Sequence, residues 1–192
     1  CAERYITVIP EFDIPGHTSA LLHAYPHLSC TGGPIDVKSC QGIFDDILCA
    51  GKDETFDVVF DILSDIIEIF PSEYIHIGGD ECPKASWKAC PHCQSMIKKL
   101  GLKDEFELQS YFVTRMEKYI NSKGRQIIGW DEILQGGLAP NAKVMSWLGE
   151  EGGIKAAQQH HEVVMSPHQK YYLTDKGLMH LSLKAKVCLA LL

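Results

Sequence analysis

The stretch YIHIGGDE, residues 74–81, carries the clearest signal of the fold. Its first four residues form a short, mostly apolar run that is typical of a buried strand. The two glycines that follow remove side-chain bulk where a ligand could approach the backbone. Asp80 and Glu81 come next. Two carboxyl groups at the end of a strand suit general acid catalysis combined with positioning of a second group, although such a pair also serves simply to cap a following helix.

Strand and helix signals alternate on both sides of this stretch. Five apolar runs predict strands, at residues 5–9, 74–77, 126–130, 143–147 and 162–166. Helices are predicted at residues 18–24, 53–70, 106–122 and 153–159, and a loop at residues 80–102. Strands that alternate with helices favour an α/β fold with a parallel sheet.

Polar and aromatic residues lie at the end of each predicted strand or shortly after it. They are Glu11 and Asp13, Asp80 and Glu81, Trp130 to Glu132, Trp147, and Ser166 to Tyr172. Such groups at the carboxyl ends of parallel strands are typical of the active face of a TIM (β/α)8 barrel, which is the predicted fold class. A doubly wound sheet binds ligands at the same edge, but the chain has neither a glycine-rich dinucleotide turn nor a P-loop.

The composition is that of one ordinary globular domain. The chain has 192 residues, of which 45% are hydrophobic and 22% are charged. The net charge of -7 and the lack of a long basic cluster argue against a nucleic-acid partner. No apolar run reaches the length of a membrane span, so no membrane partner is predicted, and the first residues do not resemble a signal peptide.

Eight cysteines are present, at positions 1, 30, 40, 49, 82, 90, 93 and 188. Cys90 and Cys93 form a CxxC pair, with Cys82 eight residues upstream. These three are weak candidates for metal ligands, because a structural zinc site usually needs a second cysteine pair or two histidines. A disulfide or free thiols are the favoured interpretation, so no metal site is predicted.

Four motifs, taken in chain order, resemble those of glycoside hydrolase family 20, the β-N-acetylhexosaminidases. They are PEFDIPGH at residues 10–17, HIGGDE at 76–81, GWDE at 129–132 and SW at 146–147. The resemblance spans residues 4 to about 173 and implies a partial barrel that holds about strands 3 to 7 of the eight. Residues 1–173 are then part of a catalytic barrel, and residues 174–192 are a tail without a structural assignment.

The resemblance implies hydrolysis of terminal, non-reducing N-acetylglucosamine or N-acetylgalactosamine from glycans, without a cofactor. In this retaining mechanism the acetamido oxygen of the substrate attacks the anomeric carbon, unlike the usual two-carboxylate route. Glu81 would be the general acid/base, and Asp80 would hold the acetamido nitrogen and stabilise the developing positive charge. One carboxyl must then hold a proton near neutral pH while the other stays ionised.

Five further residues are implied to bind the substrate, and they are His17, His76, Trp130, Trp147 and Tyr172. Aromatic faces suit the apolar C–H face of a sugar and exclude water from the intermediate. On residue type alone, a tryptophan on a strand is more often part of the core, and a lone histidine more often makes a structural hydrogen bond.

The chain also departs from the family pattern. The acid after Tyr172 comes one residue late, at Asp175, and the first two strands and a sugar-binding arginine of the family have no match. Five of eight strands would leave open sheet edges, through which self-association is expected. The alternatives are a catalytically incompetent carbohydrate-binding or assembly fragment, and a zinc-stabilised module built on Cys82, Cys90 and Cys93. The resemblance suggests a periplasmic, secreted or lysosome-like location.

Overall fold

The computed structural model describes residues 1–40 and 42–171, which form an α/β fold around one parallel sheet. Within these residues the strands are β1 (Tyr74–His76), β2 (Gln126–Trp130), β3 (Lys143–Ser146) and β4 (Val163–Met165), arranged in that order across the sheet. All neighbouring pairs are parallel. The carboxyl ends of the four strands therefore lie along one edge of the sheet.

The helices of the described part are α1 (Ser19–Ala24), α2 (Asp53–Ile69), α3 (Ala85–Ala89), α4 (Pro91–Leu100), α5 (Glu105–Ser122), α6 (Glu151–Gln158) and α7 (His168–Tyr171). Short 3-10 turns occur at Ala2–Arg4, Pro26–Leu28 and Asp131–Leu134. Among the residues with described structure, no helix is long and apolar enough to cross a membrane. The alternation of strands and helices confirms the predicted α/β class with a parallel sheet.

Helices α2 and α5 build the core that supports the sheet. Phe56 of α2 and Phe112 of α5 are fully buried, with ring centroids 5.1 Å apart. Phe60 stacks on Tyr119 at 4.1 Å. Aromatic pairs of this kind contribute about 0.5–1.5 kcal/mol beyond the area that they bury. Because α5 also packs against β2, this core holds in place the strand that ends in Trp130.

The strand predicted at Tyr5–Ile9 does not form, so the described residues contain four strands where five were predicted. The side chains of this segment are exposed, to 95% at Tyr5. Pro10–Ile14 runs beside β1 instead: the N–H of His76 donates to the carbonyl of Pro10 at 2.9 Å, and Glu11 forms a parallel bridge with His76. Whether a β-branched run forms a strand depends on its context. Here the edge of β1 pairs with Pro10–Ile14 and not with Tyr5–Ile9.

The loop predicted at residues 80–102 contains two helices, α3 and α4. Pro91 is the first residue of α4, where its missing N–H costs no hydrogen bond. Cys93 and Met96 point into the core at a helical spacing, and Trp87 of α3 is fully buried. Helices α3 and α4 are short and have few apolar positions, so their sequences show little helical periodicity. The hydrophobic pattern therefore did not predict these two helices.

Candidate active site

The site begins at the turn that follows β1. Gly78 and Gly79 have φ angles of 66° and 92°, a region that side chains disfavour. A Cβ atom at Gly78 would overlap the side chain of Asp13, and one at Gly79 would overlap the side chain of Ile133. The two glycines thus let the backbone pass between neighbouring elements and bring Asp80 against Asp13.

The imidazole of His17 lies at the centre of a group of carboxyl groups. Its Nε2 is 3.3 Å from Oε2 of Glu81, 3.6 Å from Oδ2 of Asp80 and 3.9 Å from Oδ2 of Asp13. His17 and Glu81 both have left-handed backbones, with φ angles of 53° and 44°. A non-glycine residue in such a conformation costs on the order of 1–3 kcal/mol and is concentrated at functional sites.

The loop that carries the acids is held from two sides. The side-chain amide of Gln109, on α5, donates to the carbonyl of Gly79 at 2.7 Å. Lys84 donates to Oε1 of Gln109 at 2.5 Å and to the carbonyl of Cys82 at 2.6 Å. On the other side, the N–H of Glu81 donates to Oε2 of Glu132 at 3.1 Å. Sequence reasoning gave no role to Gln109 or Lys84, because only the packing of α5 brings Gln109 to this loop and within reach of Lys84.

A second layer joins the ends of β1 and β2. The indole N–H of Trp130 donates to Oε1 of Glu11 at 2.9 Å, and Nδ1 of His76 lies 3.2 Å from the same oxygen. The rings of His76 and Trp130 have centroids 4.7 Å apart. Since the side chain of His76 is only 5% exposed, it lies beneath the edge of the sheet and supports Trp130.

Trp130 and Trp147 form an aromatic corner at the ends of β2 and β3. Their ring centroids are 6.4 Å apart and their planes meet at 68°. Asp131 holds this corner, because its carboxylate accepts hydrogen bonds at 3.3 Å from the N–H of Trp147 and from Oγ of Ser146. A cleft of about 530 Å³, lined in part by Asp131 and Glu132, lies beside it.

The surroundings change the acidity of the carboxyl groups near His17. Burial and the charge of Asp80 raise the pKa of Asp13 to about 8, against the N–H of Gly79, which lowers it. Burial also raises the pKa of Asp80, against a backbone hydrogen bond and the charge of His17, which lower it. Two carboxyls this close do not both ionise readily. Asp13 is therefore the group that keeps its proton near neutral pH, and the pKa of its neighbour Asp80 is raised as well.

The pKa values of Glu11 and Glu132, which lie farther from His17, shift in opposite directions. The hydrogen bond with His76 lowers the pKa of Glu11, against burial, and the indole of Trp130 lowers it further. Burial raises the pKa of Glu132, although the N–H of Glu81 opposes this effect. Glu11 thus supplies a fixed negative charge next to His76.

Two buried polar atoms at the site, Nε2 of His76 and Oδ1 of Asp80, lack a hydrogen-bond partner among the described residues. Oδ1 of Asp80 has no hydrogen bond to any of the described residues, although it is shielded from solvent. A buried carboxylate oxygen without a donor costs the protein about 1–3 kcal/mol or more. Such a group in a native structure has a catalytic role or binds a water, an ion or a ligand donor.

Two groups of side chains in the described part have ligand atoms close enough to hold a metal ion. One consists of Asp13, His17 and Asp80. Together with Glu81 these residues form the acid cluster around the imidazole of His17. The other contains the predicted candidates Cys90 and Cys93, together with two cysteines from the loop after α1. Cys82, the third predicted candidate, does not belong to this group.

The structure brings most of the predicted site residues together. Asp80, Glu81 and His17 belong to the acid cluster, and His76, Trp130 and Trp147 lie at the same edge of the sheet. Tyr172 lies outside the described residues. An edge that combines adjacent carboxyl groups, an imidazole and two indoles is typical of the glycoside hydrolases, which need acid catalysis and an aromatic surface for the sugar.

Comparisons with known proteins identify the family. The model of the glycosyl hydrolase family 20 catalytic domain matches residues 1–184. The β-hexosaminidase of Porphyromonas gingivalis is 52% identical over 166 residues, which cover 86% of this chain and 21% of that protein. The β-N-acetylhexosaminidase structure from Bacteroides fragilis has a TM-score of 0.78 at 37% identity, and it covers 88% of this chain and 35% of the other.

A further structure of this group was determined with a ligand. It is an exo-β-N-acetylglucosaminidase from Vibrio harveyi in complex with N-acetylglucosamine, with a TM-score of 0.77 and 32% identity over 88% of this chain and 27% of that one. The chain belongs to glycoside hydrolase family 20. It spans about a fifth to a third of the length of these relatives.

The raised pKa of Asp13 predicts how stability depends on pH. The folded chain keeps a proton that the unfolded chain releases above about pH 4, and it loses this proton only near pH 8. The free energy of unfolding should therefore fall as pH rises through this window, by up to about 1.4 kcal/mol per pH unit from this group. Asp13→Asn should flatten that slope in urea unfolding measured at a series of pH values.

Asp13→Ala separates titration from hydrogen bonding. This variant also loses the acceptor for the N–H of Gly79, which lies 3.2 Å from Oδ1 of Asp13. It should be less stable than Asp13→Asn at every pH but show the same flattened slope. If the wild type and both variants have equal slopes, Asp13 is not the group that holds the proton.

Proposed function

We propose that the protein containing this chain hydrolyses terminal N-acetylglucosamine or N-acetylgalactosamine from the non-reducing ends of glycans. The observation that carries this proposal is the pairing of Asp80 and Glu81 around one imidazole nitrogen, beside two indoles, in a chain of family 20. The names of the relatives, and the N-acetylglucosamine in the Vibrio harveyi structure, support the substrate class. No cofactor has a role in this proposal.

Glu81 is proposed to be the general acid/base. Its side chain is 29% exposed, so a bound substrate can reach it, and His17 holds its carboxyl group at 3.3 Å. In the first step Glu81 gives a proton to the leaving oxygen, and in the second it takes a proton from the attacking water. The strained backbone at Glu81 and the hydrogen bond from its N–H to Glu132 support a fixed orientation for this transfer.

Asp80 is proposed to bind the acetamido N–H of the substrate. Its Oδ1 is a buried acceptor without a partner among the described residues, as an oxygen awaiting a ligand donor would be. The acetamido oxygen then attacks the anomeric carbon, and the charge of Asp80 stabilises the positive intermediate. That the substrate supplies the nucleophile, in place of the second carboxylate of the usual retaining route, is what the family resemblance implies.

The sugar is proposed to lie against Trp130 and Trp147. The near-perpendicular planes of these indoles offer one face to the ring and another to the acetamido methyl. His76 is proposed to support the indole of Trp130 through their ring contact, and His17 is proposed to hold the carboxyl groups of the acids in place. Tyr172 remains a proposed donor to the acetamido oxygen on the strength of the family resemblance.

The parallel sheet is proposed to form part of a TIM barrel, with residues 1–173 as barrel and residues 174–192 as a tail. The coverage of the relatives supports this proposal, because the chain matches only 21% of the Porphyromonas gingivalis protein. The sheet supports it too, since Met165 of the outer strand β4 is 42% exposed. A parallel sheet is normally covered on both faces and closed in a barrel, so we expect the four strands to need further strands for activity.

A chimera tests both the barrel and the activity. We expect the isolated 192 residues to self-associate and show little turnover of a chromogenic N-acetylglucosaminide, because open strand edges pair with other chains. The same residues, replacing the matching segment of the Porphyromonas gingivalis β-hexosaminidase, should give a monomeric, active enzyme. Size-exclusion chromatography and the hydrolysis assay measure both. A folded but inactive chimera would favour the carbohydrate-binding alternative, and an active isolated monomer would contradict the barrel proposal.

Glu81→Gln in this chimera tests the general acid. Turnover of substrates with poor leaving groups should fall by about 10²-fold or more, because such groups require protonation as they depart. Activated aryl leaving groups should suffer less, so the two classes of substrate should separate. Equal losses on both classes would rule out the assignment of Glu81.

Asp80→Asn tests the role of its partner. The kcat should fall with any leaving group, because attack by the acetamido group is the step that Asp80 assists. A cyclic thiazoline mimic of the intermediate should bind the variant about tenfold more weakly or worse, since a hydrogen bond to a charged group contributes about 1.5–3 kcal/mol. Glu81→Gln is the matched control and should retain thiazoline binding. Unchanged affinity in Asp80→Asn would assign Asp80 another role.

A further inference from the structure

A cluster of four cysteines lies outside the acid site. Their sulfur atoms all lie within 4.8 Å of one another, and they belong to Cys30, Cys49, Cys90 and Cys93. Cys49, Cys90 and Cys93 are buried, and Cys30 is partly buried. We propose that these four cysteines bind one structural Zn²⁺ ion.

The spacing of the sulfur atoms fits a tetrahedral metal. The Sγ–Sγ distances are 3.6 Å between Cys49 and Cys93, 3.7 Å between Cys49 and Cys90, and 3.8 Å between Cys30 and Cys93. A zinc–sulfur bond of about 2.3 Å gives a tetrahedron whose edges are about 3.8 Å long. Four cysteine thiolates are a recognised ligand set for structural zinc.

Pairing by disulfides accounts for the arrangement less well. Each sulfur of a disulfide has one partner, whereas the sulfurs of Cys49 and Cys93 each lie close to two others. A single centre that all four sulfurs face explains this sharing. Soft thiolate ligands in a tetrahedron select zinc or iron. Zinc is the choice here because the cysteines join two peripheral segments, where a metal without redox chemistry suffices.

The ligands come from two segments that pack closely. Cys30 and Cys49 lie in the loop between α1 and α2. Cys90 directly precedes α4, and Cys93 lies in its first turn. A Cβ atom at Gly51 would overlap the backbone of His92 and Cys93, so the two segments touch directly beside the cluster. The bound metal would therefore fasten a long loop, which has little secondary structure of its own, to α4.

Positive groups near the cluster offset the charge of a four-thiolate site. Lys52 donates to the carbonyl of Ser29, the residue before Cys30, at 2.7 Å. The amino end of α4, a helix of ten residues, begins directly after Cys90 and favours negative charge. Both features stabilise the net charge of about −2 that Zn²⁺ and four thiolates carry together.

The cluster connects to the acid site through the backbone next to Cys49. The carbonyl of Leu48 accepts a hydrogen bond from the indole of Trp87 at 2.9 Å, and the N–H of Leu48 donates to the carbonyl of Pro15 at 3.0 Å. Pro15 lies two residues before His17. Zinc would thus help to hold the segment that presents His17 to the acids.

Metal analysis of the full chain, purified under reducing conditions from medium with added zinc, tests the proposal. We expect one zinc per chain by inductively coupled plasma mass spectrometry. The double variant Cys90→Ser/Cys93→Ser should lose it nearly completely. The control Cys82→Ser, which changes a buried cysteine outside the cluster, should retain it. A wild type with no metal, or with iron in place of zinc, would overturn the proposal.

A second measurement uses the wild type only, so it does not depend on the folding of a variant. Zinc should protect Cys30, Cys49, Cys90 and Cys93 from alkylation, and a zinc chelator should expose them. The exposed Cys40 should react in both conditions. Replacement of zinc by Co²⁺ should give the visible absorption of a tetrahedral thiolate site. Intramolecular disulfides among the four cysteines, or alkylation that the chelator does not change, would contradict the zinc site.

Discussion

The rest of the structure depends on the turn that follows β1. Within three residues of the strand, the backbone must pass between Asp13 and Ile133, which only glycine permits at Gly78 and Gly79. Parallel pairing continues through this turn, because the N–H of Trp130 donates to the carbonyl of Gly78 at 2.8 Å. The same hydrogen-bond ladder therefore fixes the position of the acids and of Trp130 relative to one another.

The acid site concentrates negative charge, which opposes folding unless it is offset. Three carboxyl groups share one imidazole, and the proton on Asp13 removes one of the charges near neutral pH. The negative charge of Glu11 is stabilised separately, by His76 and by the indole N–H of Trp130. The strained backbones of His17 and Glu81 persist because these contacts, and the anchoring of the loop to α5, determine their conformation.

The loop between α1 and α2 is a structural support rather than a simple connection. Its backbone bonds to the PEFDIPGH segment through Leu48, and the hydroxyl of Thr18 donates to the carbonyl of Asp46 at 3.2 Å. Loops of this length without regular structure usually serve a function or need an additional constraint. The buried cysteines and Trp87 supply such a constraint, and they connect the periphery of the fold to His17.

Local patterns in the sequence determined the elements that carry their own signal. The amphipathic repeats of α2 and α5 and the apolar runs of β1 and β2 identified the α/β fold with a parallel sheet. The motif HIGGDE located the acids, because two glycines followed by two carboxylates after a strand match the family pattern within one short segment. These features depend on neighbouring residues alone, so they can be read without the fold.

Only the tertiary structure decided which distant groups meet. The apolar segment Tyr5–Ile9 has the composition of a strand, but the edge of β1 pairs with Pro10–Ile14 instead. Cys30 and Cys49 have no motif that links them to the CxxC pair, and Gln109 lies on an ordinary helix until packing brings it to Gly79. Contacts between residues far apart in sequence depend on how the elements pack, and local propensity does not encode that packing.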